Sequence, residues 1–170
     1  AQFPTLVKAA PRAGRIEPVR GQIVCYQAPE PLGARLLTLE HHYIVPRPDG
    51  VTLAGSTMEH VGFEAVTTPE AQADLRAFAE SWLPRLKGLE PLTSWADLRP
   101  GLKGDHPLIG PVPGVDGLYM AAGHYRNGLI LTPITAIILL ALMAKETPPL
   151  SVEPWLPRPP SPPRRSPRKG

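Results

Sequence analysis

Apolar and polar positions set up strands first and helices later. In "RIEPVRGQIVCYQA" the stretch Gln22, Ile23, Val24, Cys25, Tyr26 follows the two-residue period of a strand, and "RLLTLEHHYIVPR" predicts two further short strands or one bent one. In "YIVPRPDGVTLAGSTM" an apolar run meets the turn chemistry of Pro48-Asp49-Gly50, and a second run follows through Val51, Leu53 and Ala54. That order predicts a β-hairpin. From Thr68 the period lengthens. Thr68 suits an N-cap, Pro69 the first helical position and Glu70 the first turn, while Ala71, Leu75, Phe78, Ala79 and Trp82 share one face, so an amphipathic helix is predicted to end near Pro84. Strands are then expected through Trp95 to Leu98 and through Leu118 to Ala122, with a turn-rich connection between them.

The pattern closes on "GHYRNGLILTPITAIILLALM", where a polar turn runs straight into an apolar segment. The run Leu129 to Met143 would rise only roughly 22 Å as a helix, short of the roughly 30 Å hydrocarbon core of a bilayer, and Pro133 interrupts it. A buried core helix is expected rather than a membrane span. The predicted class is α+β: an antiparallel sheet with one surface helix, then the last strand and helix of a nucleotide-binding layer whose beginning is missing. No G-x-G-x-x-G occurs, so the usual phosphate cradle of a dinucleotide fold is absent from the sequence.

Composition alters this picture at the end of the chain. Of 24 prolines in 170 residues, nine lie from Pro148 onward, where no apolar period survives, and residues 148–170 are expected to form a disordered tail. Arg158, Arg164, Arg165, Arg168 and Lys169 face the single acid Glu153 there, so the basic character belongs to the tail and does not imply a nucleic-acid partner for the body. The lone Cys25 excludes an internal disulfide or a cysteine-rich zinc site and fits a reducing, cytoplasmic setting. Residues 1–15 read as irregular, without the apolar core of a signal peptide or an initiating Met, which fits a processed chain or a piece of a longer one.

Three groups of residues invite chemistry. The turn Gly123, His124, Tyr125, Arg126, Asn127, Gly128 leads into a helix whose first backbone N–H groups favour something electron-rich; the plain alternative is a loop in which glycine serves geometry. Arg99 in "LRPG" follows a strand and suits a bidentate grip on a carboxylate, or else a surface salt bridge. Tyr43 in "HHYIVPR" offers a hydroxyl to the same carboxylate, or packs as a half-buried core residue. His41 and His42 are neighbours in a strand and point to opposite faces, so no metal site is expected from them. His60, His106 and His124 share no ligand spacing with them, and no Ser-His-Asp order suggests hydrolysis.

The motifs "PVRGQ", "YIVPRPDG", "AGSTMEHVGF", "WADLRPGLKGDHPLIGPVPGVDGLYMAAGHYRNGLILTPITA" and "PWLP" resemble, in that order, the C-terminal part of the glycine oxidases of thiamine biosynthesis, FAD-dependent members of the D-amino-acid oxidase family. The resemblance covers about Pro18 to Pro157. It implies that residues 16–105 are part of an antiparallel substrate domain and 106–147 the C-terminal part of a Rossmann-like FAD domain. The implied chemistry oxidises glycine, or another small amine, to an imine with O2 as acceptor and peroxide as product. Other D-amino-acid or sarcosine-type oxidases share the pattern, and an inactive remnant serving as an interaction module is the rival from outside catalysis. By resemblance Arg99 anchors the substrate carboxylate, Tyr43 stands beside it, Met58 lines the pocket and Arg126 is a second arginine near the flavin. The stretch Gly123 to Leu129 faces the flavin ring. No side-chain acid or base is implied, because hydride passes directly from the substrate carbon to the flavin. The implied partners are a small amino acid and O2, with neither nucleic acid nor membrane, and a full-length homo-oligomer is compatible. The family's glycine-rich opening unit would precede Ala1, so the chain alone is expected to be inactive.

Overall fold

The structure, a computed structural model, describes residues 16–102 and 106–157 of the chain. The expected irregular segment 1–15, the basic end of the tail and Lys103, Gly104 and Asp105 lie outside the described residues. The chain divides into two compact units, Pro18–Arg99 on the one hand and Ala1–Glu17 with Pro100–Gly170 on the other.

The Pro18–Arg99 unit is built on a five-stranded sheet in the order β2-β3-β4-β1-β5, from β1 (Ile16–Gln27), β2 (Leu37–Leu39), β3 (His42–Pro46), β4 (Val51–Gly55) and β5 (Thr93–Leu102). β3 and β4 form the predicted hairpin, with Tyr43 opposite Gly55 and Pro46 opposite Thr52. Its turn closes because Gly50 accepts a φ of +82°, and the Asp49 carboxylate takes the Val51 N–H at 3.0 Å. "RLLTLEHHYIVPR" forms two strands rather than a bent one, since Glu40 turns back at a φ of +52° between β2 and β3.

Helix α1 (Pro69–Trp82) starts where its sequence directs, with Thr68 Oγ1 accepting the Ala71 N–H at 3.4 Å. Leu75 and Ala79 join Val24, Tyr26, Ala54 and Leu86 in a core that excludes water entirely. Trp82, predicted on the same face, is half exposed, because the helix ends there and the chain turns through Pro84–Leu86.

The other unit carries the ribbon β6 (Leu108–Pro111) and β7 (Tyr119–Ala122) and the helix α2 (Gly128–Ala144). Leu108, Val112 and Met120 form its small core. The strand β6 was hidden in the connection expected to be turn-rich, since four residues beside prolines carry no readable period. Part of the predicted tail is also ordered. Glu153–Trp155 form a 3-10 turn, Pro157 is buried, and Leu156 sits over Gly110, where an added Cβ would come within 2.7 Å of its Cδ2.

The expectation of a buried α2 is corrected. Only Thr135 and Ile138 are buried, whereas Leu129 is 91% and Ile130 78% exposed, and Ile137, Leu140 and Met143 also face outward. The two-stranded ribbon beside it can cover one stripe of a helix and no more. By length and composition Tyr125–Ala144 would suffice to cross a membrane, with a mean hydropathy of 2.1.

Candidate functional site

The two faces of the five-stranded sheet differ. Gln22, Val24, Tyr26, Ile44, Thr52 and Ala54 point to the buried side. On the other side Gly55 lies opposite both Ile23 and Tyr43, so these three share a face with Gly21, two residues before Ile23 on β1. The phenol of Tyr43 lies on the Gly55 backbone, where an added Cβ would stand 3.1 Å from Oη.

The residues after Gly55 receive Arg99. Its Nη2 donates to Ser56 Oγ at 2.8 Å and its Nη1 to the Thr57 carbonyl at 3.2 Å. Met58 comes next and is half-buried. Three residues predicted far apart in sequence therefore meet on the strip Gly55–Met58. Both acceptors holding Arg99 are neutral, and among the described residues no carboxylate forms an ion pair with it. A guanidinium held by neutral acceptors keeps N–H groups and charge that suit an anion, and its planar fork matches a carboxylate.

The strip is itself clamped. Arg20 is 4% exposed, bridges Glu59 through reciprocal backbone hydrogen bonds, and donates Nε to Glu59 Oε2 at 3.1 Å. The other carboxylate oxygen accepts Gln22 Nε2 at 2.9 Å and the Thr57 hydroxyl. Burial raises the Glu59 pKa, but the hydrogen bonds from Arg20, Thr57 and Gln22 outweigh it and leave the carboxyl below its ordinary 4.5. Gln22 is saturated: its Oε1 takes the Thr68 N–H at 2.8 Å and Gln72 Nε2 at 3.1 Å, its Nε2 also reaches Thr68 Oγ1 at 3.2 Å, and its backbone N–H goes to Thr57 Oγ1 at 2.9 Å. Ser56, Thr57, Glu59 and Gln22 escaped the sequence reading. The one available signal was Gly21 inside an otherwise regular strand, which marks close approach of another group.

In the other unit, Gly123 turns at a φ of +79° against Leu102, and Tyr125–Asn127 make a 3-10 turn with Tyr125 at +51°. His124 Nε2 pairs with Thr135 Oγ1 at 3.0 Å, tying the turn to α2, and burial lowers its pKa from 6.5. α2 begins at Gly128 with no side-chain cap from Asn127 and no acid in its first turn. Its entrance thus offers backbone donors and the positive end of a dipole, flanked by the exposed Arg126, Asn127 and Leu129. His42 packs tilted against Phe78, ring centroids 5.0 Å apart, while His41 is exposed, and no metal-binding cluster of His, Cys, Asp and Glu occurs among the described residues.

The profile of the FAD dependent oxidoreductase family matches residues 2–142. The glycine oxidase of Pseudomonas aeruginosa is 44% identical over 142 residues, covering 84% of this chain and 39% of that enzyme, and the glycine oxidase of Pseudomonas putida is 39% identical over the same shares. The crystal structure of glycine oxidase from Geobacillus kaustophilus superimposes with a TM-score of 0.80 at 29% identity, over 85% of this chain and 39% of that one. The chain spans about two fifths of the length of the relatives it matches.

Proposed function

Since the chain belongs to the FAD-dependent oxidoreductase family, we propose that it supplies the substrate-binding sheet and the flavin-ring turn of an enzyme that oxidises glycine or another small amine. In this reading 16–105 form the substrate-domain portion and 106–147 the end of the FAD domain. The overall reaction takes glycine, O2 and water to glyoxylate, ammonia and H2O2, in a cytoplasmic route to thiamine. The observation that carries the reading is the convergence on Gly55–Thr57 of Tyr43 and Arg99, which has no carboxylate partner among the described residues.

Residues 123–129 fit the electron-rich pyrimidine edge of a flavin, because the uncapped amides at the start of α2 donate and no acid in its first turn opposes them. FAD held there would supply the two-electron acceptor that oxidation of the amine requires. Arg99 fixes the substrate carboxylate through its remaining N–H groups, and the Tyr43 hydroxyl donates beside it. Met58 borders the space left for the substrate side chain. Arg126 adds positive charge near the ring. Orientation and charge are what these residues contribute, and no side-chain base takes a proton.

Replacing Arg99 with Ala in the flavin-loaded enzyme containing this chain should raise KM for glycine at least about tenfold, since a charge-assisted contact contributes about 1.5–3 kcal/mol. Flavin absorbance should stay intact. An unchanged KM removes Arg99 from the site. Parallel assays on sarcosine and D-alanine separate glycine from the other small-amine substrates.

A further inference from the structure

Gly21 is the residue on which the Arg99 guanidinium rests. A Cβ added there would stand 1.9 Å from Nη1, 2.3 Å from Cζ and 2.3 Å from Nη2, and its three nearest neighbours all belong to Arg99. Gly21 has no left-handed φ, so its backbone would accept any L-residue. Space, not backbone conformation, favours glycine here. The guanidinium ends a flexible side chain and can move for a Cβ, but only by disturbing its hold on Ser56 Oγ and the Thr57 carbonyl. Gly55 offers a looser parallel one strand away: its backbone is also outside the left-handed region, and an added Cβ would press on Ile23 Cγ1 at 3.0 Å and on Tyr43 Cζ and Oη at 3.1 Å.

We propose that Gly21 is a positioning residue for substrate: its missing side chain is the socket that seats the Arg99 guanidinium at the height where a carboxylate can be gripped, as Gly55 seats the Tyr43 hydroxyl. This rests on the reading of Arg99 as the carboxylate anchor. Any side chain at Gly21 lifts or tilts the guanidinium off Ser56 and Thr57 and spoils the grip without touching substrate itself.

The test is a double-mutant cycle in the flavin-loaded enzyme containing this chain, with Gly21→Ala, Arg99→Ala and both together. Gly21→Ala should raise KM for glycine and Kd for acetate, read by perturbation of flavin absorbance, at least about tenfold with kcat within about twofold. In the Arg99→Ala background the same change should have no further effect on either constant, because the group it displaces is gone. Should Gly21→Ala alone fail to fold, the double variant is expected to fold, since truncating Arg99 removes the clash. A double variant that also fails to fold, or a Gly21→Ala enzyme with KM and Kd unchanged while Arg99→Ala raises both, overturns the socket. If Arg99→Ala leaves KM unchanged, the anchor reading fails first and the socket falls with it.

Discussion

Glu59 shows how much one side chain carries. It neutralises Arg20, receives Gln22 and fixes the Thr57 hydroxyl, whose carbonyl in turn holds Arg99. Because its folded pKa lies below 4.5, the stability it confers is fully present above that pH and is lost as pH falls through the lower folded value. A Glu59→Gln variant should therefore unfold with a shallower pH dependence below pH 4.5 than the parent, as read by denaturant titration at each pH. Equal slopes would show that Glu59 does not carry the acid limb. Arg99, Tyr43 and Met58 stood out in the sequence because the motifs around them are distinctive. Ser56, Thr57 and Gln22 were not, since a serine, a threonine or a glutamine in a strand becomes a ligand only through the neighbours that folding brings to it.

Among elements, α1 and the β3–β4 hairpin were readable because their signals are local: a cap, a proline at the start, a turn sequence and a clean period. Leu75 of α1 is completely buried against Val24, Tyr26, Ala54 and Leu86. Replacing it with Ala should destabilise the fold by about 2–5 kcal/mol, measured by urea unfolding. A loss below about 1 kcal/mol would mean that α1 packs loosely on the sheet. The outward side of α2 was misread, because an apolar run tells how greasy a helix is and not how much of a covering layer stands beside it. The ribbon β6–β7 was half hidden for a different reason. Its first strand is held by pairing with Tyr119–Ala122, a contact that no four-residue window contains.

For the whole molecule, flavin contacts are expected only from the turn at 123–129, since the sequence has no glycine-rich phosphate loop. The 170-residue chain, purified alone with FAD added, should therefore be colourless after gel filtration; a stoichiometric yellow complex would contradict this. Exposed Leu129, Ile130, Leu140 and Met143 on α2 give the isolated chain a sticky surface as well. Within the Pro18–Arg99 unit, one glutamine joins two jobs. The amide of Gln22 is shared between the first turn of α1 and the Glu59 carboxylate, which also holds the Thr57 hydroxyl. Fraying at the start of this helix would therefore be felt at Glu59 and, through Thr57, at the carbonyl that holds Arg99, two elements away from the loosened turn.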